Sequence, residues 1–548
     1  MKRKLLAMLT ATVMITLTAV GCGNENTDVT SDGPVLSVTG GDIMGYVAEN
    51  GVKVFKGIPY AASSEGENRW KEPQPVEPWD SVLDCTEYGS IPMQNEDTTY
   101  GGMAPWTTEF KDLGKTFENG QISEDSHTVN VWTNAETGDN KPVIVYIYGG
   151  GNNHGSGTIE NYAGEEIANK DVVYVTFNYR VAIFGFLAYK DSTGEELTGN
   201  YAIMDQLAVL NWLQDNIEQF GGDPSNVTIA GQSAGAMNVQ TLLASPESAG
   251  LFSKAVVMSG NSMMMDVPTK ESVEEEATAA FGDYTIEELR AMSSEDVLAL
   301  VTGMGVYNPS TACIDGTIVT QSPYNAFKSG EYNNVDMIIG SVEKDALLFS
   351  TVAYPDPDGF AFTPITEVSP TDYEKAINDA FGNKASSYLQ MYSVDTSVEN
   401  VIETANLVNI DAMISKDYYT TKLKDTGDPE KKTYVYYFDH IIPDTPERMT
   451  EHGAFHTSDV PYWLNHFTES YPRTWTDVDY NLGDTMSSYL VNFAYNGDPN
   501  GEGLPEWPES STTTGITYLN FGDTVELKSF DETKASLWSE YWDNMLLK

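Results

Sequence analysis

Basic residues are scarce in this chain. Among 548 residues, 30 Lys and Arg face 81 Asp and Glu, a formal net charge of −51. A nucleic-acid site needs Lys and Arg clustered against phosphate, and so acidic a chain has no basic face to offer; nucleic acid is excluded as a partner. An anionic bilayer would repel the folded body for the same reason. The charge suits solubility outside a cell, whereas steering of cationic substrates does not follow from composition. Cysteine is nearly absent, with only Cys22, Cys85 and Cys313. That excludes a disulfide framework and leaves one pairing open, Cys85 with Cys313. Histidine is also rare, with six residues, and no Cys-x-x-Cys or zinc-spaced His/Cys cluster occurs. His452 and His456 are four apart, but Gly453 lies between them and no Glu or Cys completes a ligand set. Neither a metal nor an organic cofactor is expected. Internal repeats and low-complexity blocks are missing. At 41% hydrophobic and 20% charged residues the chain is globular, which excludes disorder, collagen and coiled coil.

One long apolar run exists, and it stands at the N-terminus. Lys2, Arg3 and Lys4 precede an apolar stretch from Leu5 to Val20, followed by Gly21 and Cys22. This is the layout of a secretory signal peptide. Ala19-Val20-Gly21-Cys22 resembles the lipobox of bacterial lipoproteins, in which the Cys is lipidated and becomes the mature N-terminus. The alternative is an uncleaved anchor, since the run approaches the ~20 residues that span a bilayer. Either way the body is exported. The resemblance implies a protein held on the outer face of a bacterial membrane, at the cell surface or in the periplasm, through Cys22 alone. Residues 23–33 are small and polar and read as a flexible tether. Residues 34–548 then form the body.

Short strands broken by Gly are expected between Val35 and Tyr60. Beyond them, Val143–Tyr148, Val172–Phe177, Val227–Ala230, Met337–Ile339 and Val435–Phe438 are apolar runs without alternation. Such runs indicate strands buried on both faces, as in a parallel sheet covered by helices. Helical patterns intervene at Ala202–Phe220 and Gly235–Leu243. The expectation is an α/β doubly wound core in one large domain. Acidic helical stretches at Val267–Val301 and Thr371–Leu423 read as insertions that cover strand ends, because sheet strands lie on both sides of them.

Gly231-Gln232-Ser233-Ala234-Gly235 follows one of these strands and precedes a helix. Gly-x-Ser-x-Gly alone is a weak signal. In strand–turn–helix context it is a nucleophile elbow, with glycines where the chain is crowded. Acyl transfer also needs N–H donors for the charge that develops on oxygen. Gly149-Gly150-Gly151 follows a buried strand, so Gly150, Gly151 and Ala234 are the candidate oxyanion donors. No Lys-Ser or Lys-Thr follows the run, which argues against a phosphate cradle. A base should follow Ser233 in the chain. His127 and His154 precede it. Among the rest, His456, in a loop of small residues, and His452 are the leading candidates, ahead of His440 and His466.

Long segments resemble the type-B carboxylesterase family, which includes cholinesterases and bacterial para-nitrobenzyl esterases. Phe220 to Gly235 resembles the family's serine signature, and Ser123-Glu124-Asp125 with Val129-Asn130-Val131 its second signature. Phe55 to Ala61, Asn178-Tyr179-Arg180, and Asn492-Phe493-Ala494 with Gly497 to Asn500 also match. The resemblance runs from Val35 nearly to the C-terminus. It implies an α/β-hydrolase fold with a mostly parallel sheet. It also implies a serine carboxylesterase acting on small-molecule esters. It selects His456 as the base, with Asp459 three residues on, and it locates the acid at Asp345, where relatives carry Glu. Glu343 is the fallback.

Several departures from the family bear on the pocket. Gln232 stands where many relatives have Glu beside the nucleophile, which removes a charge that would favour cationic substrates. Ser126 and Met93 stand where relatives have Cys, so the family's loop disulfide is expected to be absent. Asn152 replaces an aromatic after the glycine run, and Ala346 a Gly after the acid. Ser259 matches a family Ser near the triad and is expected beside it rather than in it. Trp106, Tyr148 and Trp463 lie near motif loops and either line a gorge or pack the core, with core packing favoured. Two rival readings remain: a catalytically silent binding or adhesion module on the same scaffold, and a solute-binding lipoprotein.

Overall fold

The uninterrupted apolar runs become neighbouring strands. The computed structural model describes residues 33–95, 121–261, 267–304, 309–343, 345, 368–395, 397–425, 430–443, 453–467, 473–511 and 517–545. The expected signal peptide, Cys22 and most of the tether lie outside these residues, as do Trp106, Ala346 and His452. Strands β1 (Tyr46–Val47), β2 (Lys53–Pro59), β3 (Thr128–Thr133), β4 (Lys141–Ile147), β5 (Val173–Phe177), β6 (Gly222–Gln232), β7 (Lys254–Met258), β8 (Asp336–Val342), β9 (Thr433–Phe438), β10 (Thr517–Phe521) and β11 (Val525–Ser529) share one 11-stranded sheet. Their order is β11-β10-β9-β8-β7-β6-β4-β5-β3-β2-β1.

From β5 to β10 every neighbouring pair is parallel. The outer strands at both edges pair antiparallel. All residues of β5, β7 and β9 are buried, which explains their lack of alternation. Helices cover the sheet. α1 (Tyr201–Asn216) and α2 (Ala234–Ala244) pack on β6, α3 (Val398–Asp425) on β8 and β9, and α4 (Asp477–Asn496) on β4 and β6. This is the α/β-hydrolase arrangement. After β5 the chain crosses β4 to enter β6, so the strand order reverses there. In open parallel sheets, ligands bind beyond the carboxyl ends of the strands at such a reversal.

The first acidic insertion forms helices Lys270–Phe281, Ile286–Ala291 and Ser294–Met304. Phe281, Ile286, Leu289 and Val297 build a second apolar cluster with Phe184, Leu187 and Tyr189. A buried ion pair ties this cluster to the N-terminal part of the chain. Arg69 pairs with Glu124 at 2.5 Å and donates to the carbonyls of Leu289 and Met292. A second buried pair joins Arg180 to Asp205 at 2.7 Å, with His127 at 3.3 Å from the same carboxylate. Burial pushes the Asp205 carboxyl up, but Arg180 and His127 overcome it and hold it well below the usual range. His127 is thus a structural partner. Cys85 and Cys313 are both free and buried. Cys85 belongs to the main core, whereas Cys313 packs with Ala188 and Val273. Burial pushes each thiol up to about 12, so neither is a ready nucleophile.

The Arg180–Asp205 pair makes a direct prediction. Arg180→Met removes the guanidinium and leaves the fully buried carboxylate with His127 and the residue-180 N–H. The expected loss is about 3–5 kcal/mol, read as a lower urea midpoint. A midpoint equal to that of the parent chain would show that the pair is dispensable.

Candidate active site

Four parallel strands end at one edge of the sheet, and each delivers one part of the site. β6 stops at Gln232 and α2 starts at Ala234, so Ser233 makes the whole reversal alone, at φ 58 and ψ −128. L-residues rarely occupy this region, so the surroundings must hold it. The Ser233 N–H donates to the Met258 carbonyl at 2.9 Å. Glycines supply the rest. A Cβ on Gly235 would lie 2.0 Å from the Ile147 oxygen, and one on Gly260 would lie 2.1 Å from the Ser233 oxygen. A Cβ on Gly231 would meet the Gly235 carbonyl at 2.5 Å. No side chain fits at these positions, and only glycine lets β4, β7 and α2 close on the turn. Ser233 stays half-buried between buried neighbours. Ala234 opens α2, whose first-turn N–H groups have no acceptor within the helix.

The glycine run after β4 lies directly on this turn. A Cβ on Gly149 would lie 2.9 Å from the Ser233 Cβ and 3.2 Å from Gln232 Oε1. Gly150 and Gly151 follow at φ 112 and φ 60. The Gly150 carbonyl accepts from the N–H groups of Asn153 and His154, which closes the loop. Asn152 pins it to α2, accepting from Asn238 Nδ2 at 3.0 Å. The side chain that replaces an aromatic is therefore tied inward as part of the loop's scaffold. Desolvation pushes the His154 imidazole down to about 3, so it stays neutral.

The base and acid candidates meet at the same edge. Asp345 Oδ1 lies 2.5 Å from His456 Nδ1, and both side chains are buried. Burial pushes the Asp345 carboxyl up. The charge and hydrogen bond of His456 outweigh it, with Ser259 and Lys416 adding to them, and the net shift is downward. Ser259 thus stands beside the pair, as the sequence suggests. Glu343, the fallback acid, faces Tyr437, and its N–H donates to Phe438. On the other ring nitrogen, Gln232 Nε2 lies 3.2 Å from His456 Nε2. The residue before Ser233 therefore touches the imidazole. Of the other histidines, His440 bridges Asp479 and Asp523 at 3.0 and 2.8 Å.

Two further carboxylates lie near the site, Asp417, which no motif marks, and Asp459, the acidic residue three after His456. Asp417 on α3 accepts from Ser341 at 2.7 Å and from Asn261 at 3.0 Å, strapping the ends of β8 and β7 together. Asp459 lies in the turn after His456 and accepts from the Tyr436 hydroxyl at 2.8 Å. Burial pushes both carboxyls up to about 6. Tyr148 and Trp463 follow the favoured expectation of core packing. Tyr148 stacks on Tyr179 with centroids 4.2 Å apart, and Trp463 packs edge-on against Tyr436 and Phe521. Both are core residues. A cleft of about 670 Å³ lined by Trp70, Tyr201, Met204, Glu247, Arg290 and Ile318 lies elsewhere and contains no residue of this cluster. Among the described residues, no three His, Cys, Asp or Glu group as a metal site would require.

Known proteins resemble this chain over nearly its whole length. The model of the carboxylesterase family matches residues 32–538. Mouse carboxylesterase 1F is 28% identical, with the match covering 95% of this chain and 95% of that protein. The para-nitrobenzyl esterase of Bacillus subtilis (strain 168) is 29% identical over 92% of this chain and 98% of its own length. Dog carboxylesterase 5A is 30% identical over 93% of this chain and 89% of its own.

Asp459 offers a pH-dependent test of the buried charge. Well below the ordinary Asp range the group is protonated in folded and unfolded chains alike and costs nothing. As the pH rises toward and through about 6, the fold must ionise a buried carboxyl or keep a proton that the unfolded chain releases. That cost is on the order of 2–3 kcal/mol. Asp459→Asn should therefore raise the urea midpoint at pH 8 and leave it nearly unchanged at pH 4. Equal shifts at both pH values would contradict the assignment.

Proposed function

The chain belongs to the carboxylesterase family and is a carboxylic ester hydrolase; from that premise we propose that it works through an acyl-enzyme on Ser233. Ser233 Oγ attacks the ester carbonyl while His456 Nε2 takes its proton. Asp345 fixes the ring through Nδ1 and stabilises the imidazolium. Oxygen charge in the tetrahedral intermediate falls to the N–H groups of Gly150, Gly151 and Ala234, and loss of one such donor typically costs ~10²–10³ in turnover. The imidazolium returns its proton to the leaving alcohol. Water, activated by the same ring, then attacks the acyl carbonyl and releases the acid. The observation that carries this reading is the 2.5 Å contact between buried Asp345 and His456. It lies at the sheet edge where the Ser233 turn meets the glycine run.

The substrate class follows the same logic. A neutral Gln232 at the nucleophile favours uncharged esters, and the name of the Bacillus subtilis relative points to small aromatic ones. Residues 1–22 are proposed as a lipoprotein signal peptide, Cys22 as the lipidated residue and 23–33 as a tether. The body from residue 34 onward would then work at the outer face of a bacterial membrane.

Full-length protein in detergent, treated with a fluorophosphonate probe, should carry the adduct on Ser233. Ser233→Ala should lose at least ~10³-fold in turnover of para-nitrophenyl esters. A Ser233→Ala variant with parental turnover would sink the proposal. For the anchor, Cys22→Ser should abolish incorporation of labelled palmitate. Label retained in that variant would refute lipidation at Cys22.

A further inference from the structure

The glycine run after β4 has no side chains with which to hold its own shape. Gly150, Gly151 and Asn152 are three successive residues at positive φ, 112, 60 and 58. Glycine moves freely there, and Asn is one of the few other residues at ease. The place of the run is therefore set by what grips its ends. At the near end the Tyr148 carbonyl accepts from the Tyr179 hydroxyl at 2.8 Å, and the two rings stack. At the far end the Asn152 carbonyl accepts from the Ala182 N–H at 2.7 Å, and its Oδ1 accepts from Asn238 Nδ2 at 3.0 Å. The Tyr179 hydroxyl, which Asn238 also faces, lies 3.4 Å from the same Oδ1.

We propose that Asn238 is the positioning residue of the glycine run: through Asn152 it ties the run to α2, so that Gly150 and Gly151 keep one place relative to Ser233. The inference rests on the reading of Gly150, Gly151 and Ala234 as oxyanion donors. Three features favour it. Tyr179 and Ala182 come from the segment after β5, so among these ties only Asn238 belongs to the helix that starts beside the nucleophile. Ala234 and Asn238 are four apart on α2 and share a face. The same helix would thus offer one donor directly and seat the other two through its carboxamide. Asn152 and Asn238 are closed off from solvent, at 4% and 2% exposure, so bulk water does not replace the bond once it is lost. Donors stabilise an oxyanion best when their place is fixed before the charge develops. A loosened run would therefore bind the ester as before and hold the tetrahedral intermediate less well.

The test uses full-length protein and para-nitrophenyl acetate, with competent sites counted by a fluorophosphonate taken to completion. Asn238→Leu nearly keeps the volume and removes the donor. Its kcat per competent site should fall ~10- to 10²-fold, the range for a displaced catalytic group, with KM nearly constant. The second readout is the Ki of an aryl trifluoromethyl ketone, to whose carbonyl carbon Ser233 Oγ adds, leaving the charge on oxygen. That Ki should rise by the same factor. A merely structural role would lower the number of competent sites and leave kcat per site and Ki unchanged, which overturns the proposal. Asn152→Gly removes the acceptor and suits the backbone at φ 58. Should Asn238→Leu not fold, parental kcat and Ki in Asn152→Gly overturn the proposal instead. The double variant should fall no further than the worse single one, and additive losses would show that the two carboxamides do not act through each other. In the parent, a ketone Ki no lower than KM for the ester defeats the oxyanion reading itself. A low parental Ki that Asn238→Leu leaves unmoved defeats the role of Asn238 alone.

Discussion

Between β6 and α2 the chain turns within a single residue, and the space that turn needs governs the rest of the site. Ser233 sits at φ 58 and ψ −128 because backbone from three directions reaches it. The Met258 carbonyl takes its N–H, Gly260 lies over its carbonyl, and Gly149 lies over its Cβ. Each approach is closer than a side chain allows, so the glycines at 149, 231, 235 and 260 are one steric requirement expressed at four positions. The strain of the turn is offset by the packing of α2 on β6 and β7 and by the hydrogen bonds of the Ser233 N–H to Met258 and of the Met237 N–H to Ser233. The same crowding seats the glycine run next to Ser233.

Electrostatics adds a second constraint. Asp345, Asp417 and Asp459 are all buried around one imidazole. Desolvation acts against each of them, but the outcomes diverge. Asp345 has His456 as a direct partner, and its carboxyl is held down. Asp417 and Asp459 have only neutral hydrogen-bond donors, and theirs rise to about 6. Asp345 therefore ionises at lower pH than a free Asp, whereas the other two do so only near 6. Like charge is expensive in so small a volume. A neutral Gln232 beside the nucleophile is consistent with that, since it adds no further anion.

Much of this was legible in the chain, and the limits are physical. The runs at Val143, Val172, Val227, Met337 and Val435 announced buried parallel strands, because full burial removes the polar alternation. Lys254–Met258 was missed as a strand: it is short, it begins with Lys, and its pattern resembles any buried segment. Ser233 was recoverable from its turn, since the glycines that the geometry demands are local in sequence. Asp345 was not. Its partner is 111 residues away, so only resemblance to a family pointed to it, and the direct contact then came from the fold. Asp417, Asn261 and the Gln232–His456 contact had no signal, because long-range polar contacts leave no period in a sequence. Tyr148 and Trp463 lay near motif loops and pack the core, the reading favoured for them, since proximity in sequence to a loop does not put a ring in a pocket.

What converts these separate residues into a site is the register of the parallel strands. Ile147 pairs with Gly231, Gln232 with Met258, Met258 with Gly340 and Val342 with Phe438. β4, β6 and β7 thereby end together, β8 and β9 run two residues further, and all five release their loops on the same side of the sheet. A slip of one residue on β8 would move Asp345 by about 3.3 Å along the strand and reverse its face. The contact with His456 is 2.5 Å and would not survive it. Register is fixed by the buried Val and Ile side chains, which tolerate one alignment of each strand against its neighbour. The apolar core therefore sets the separation between acid and base. The polar strap at Asp417 acts only on the last degrees of freedom, those of the loops that leave β7 and β8.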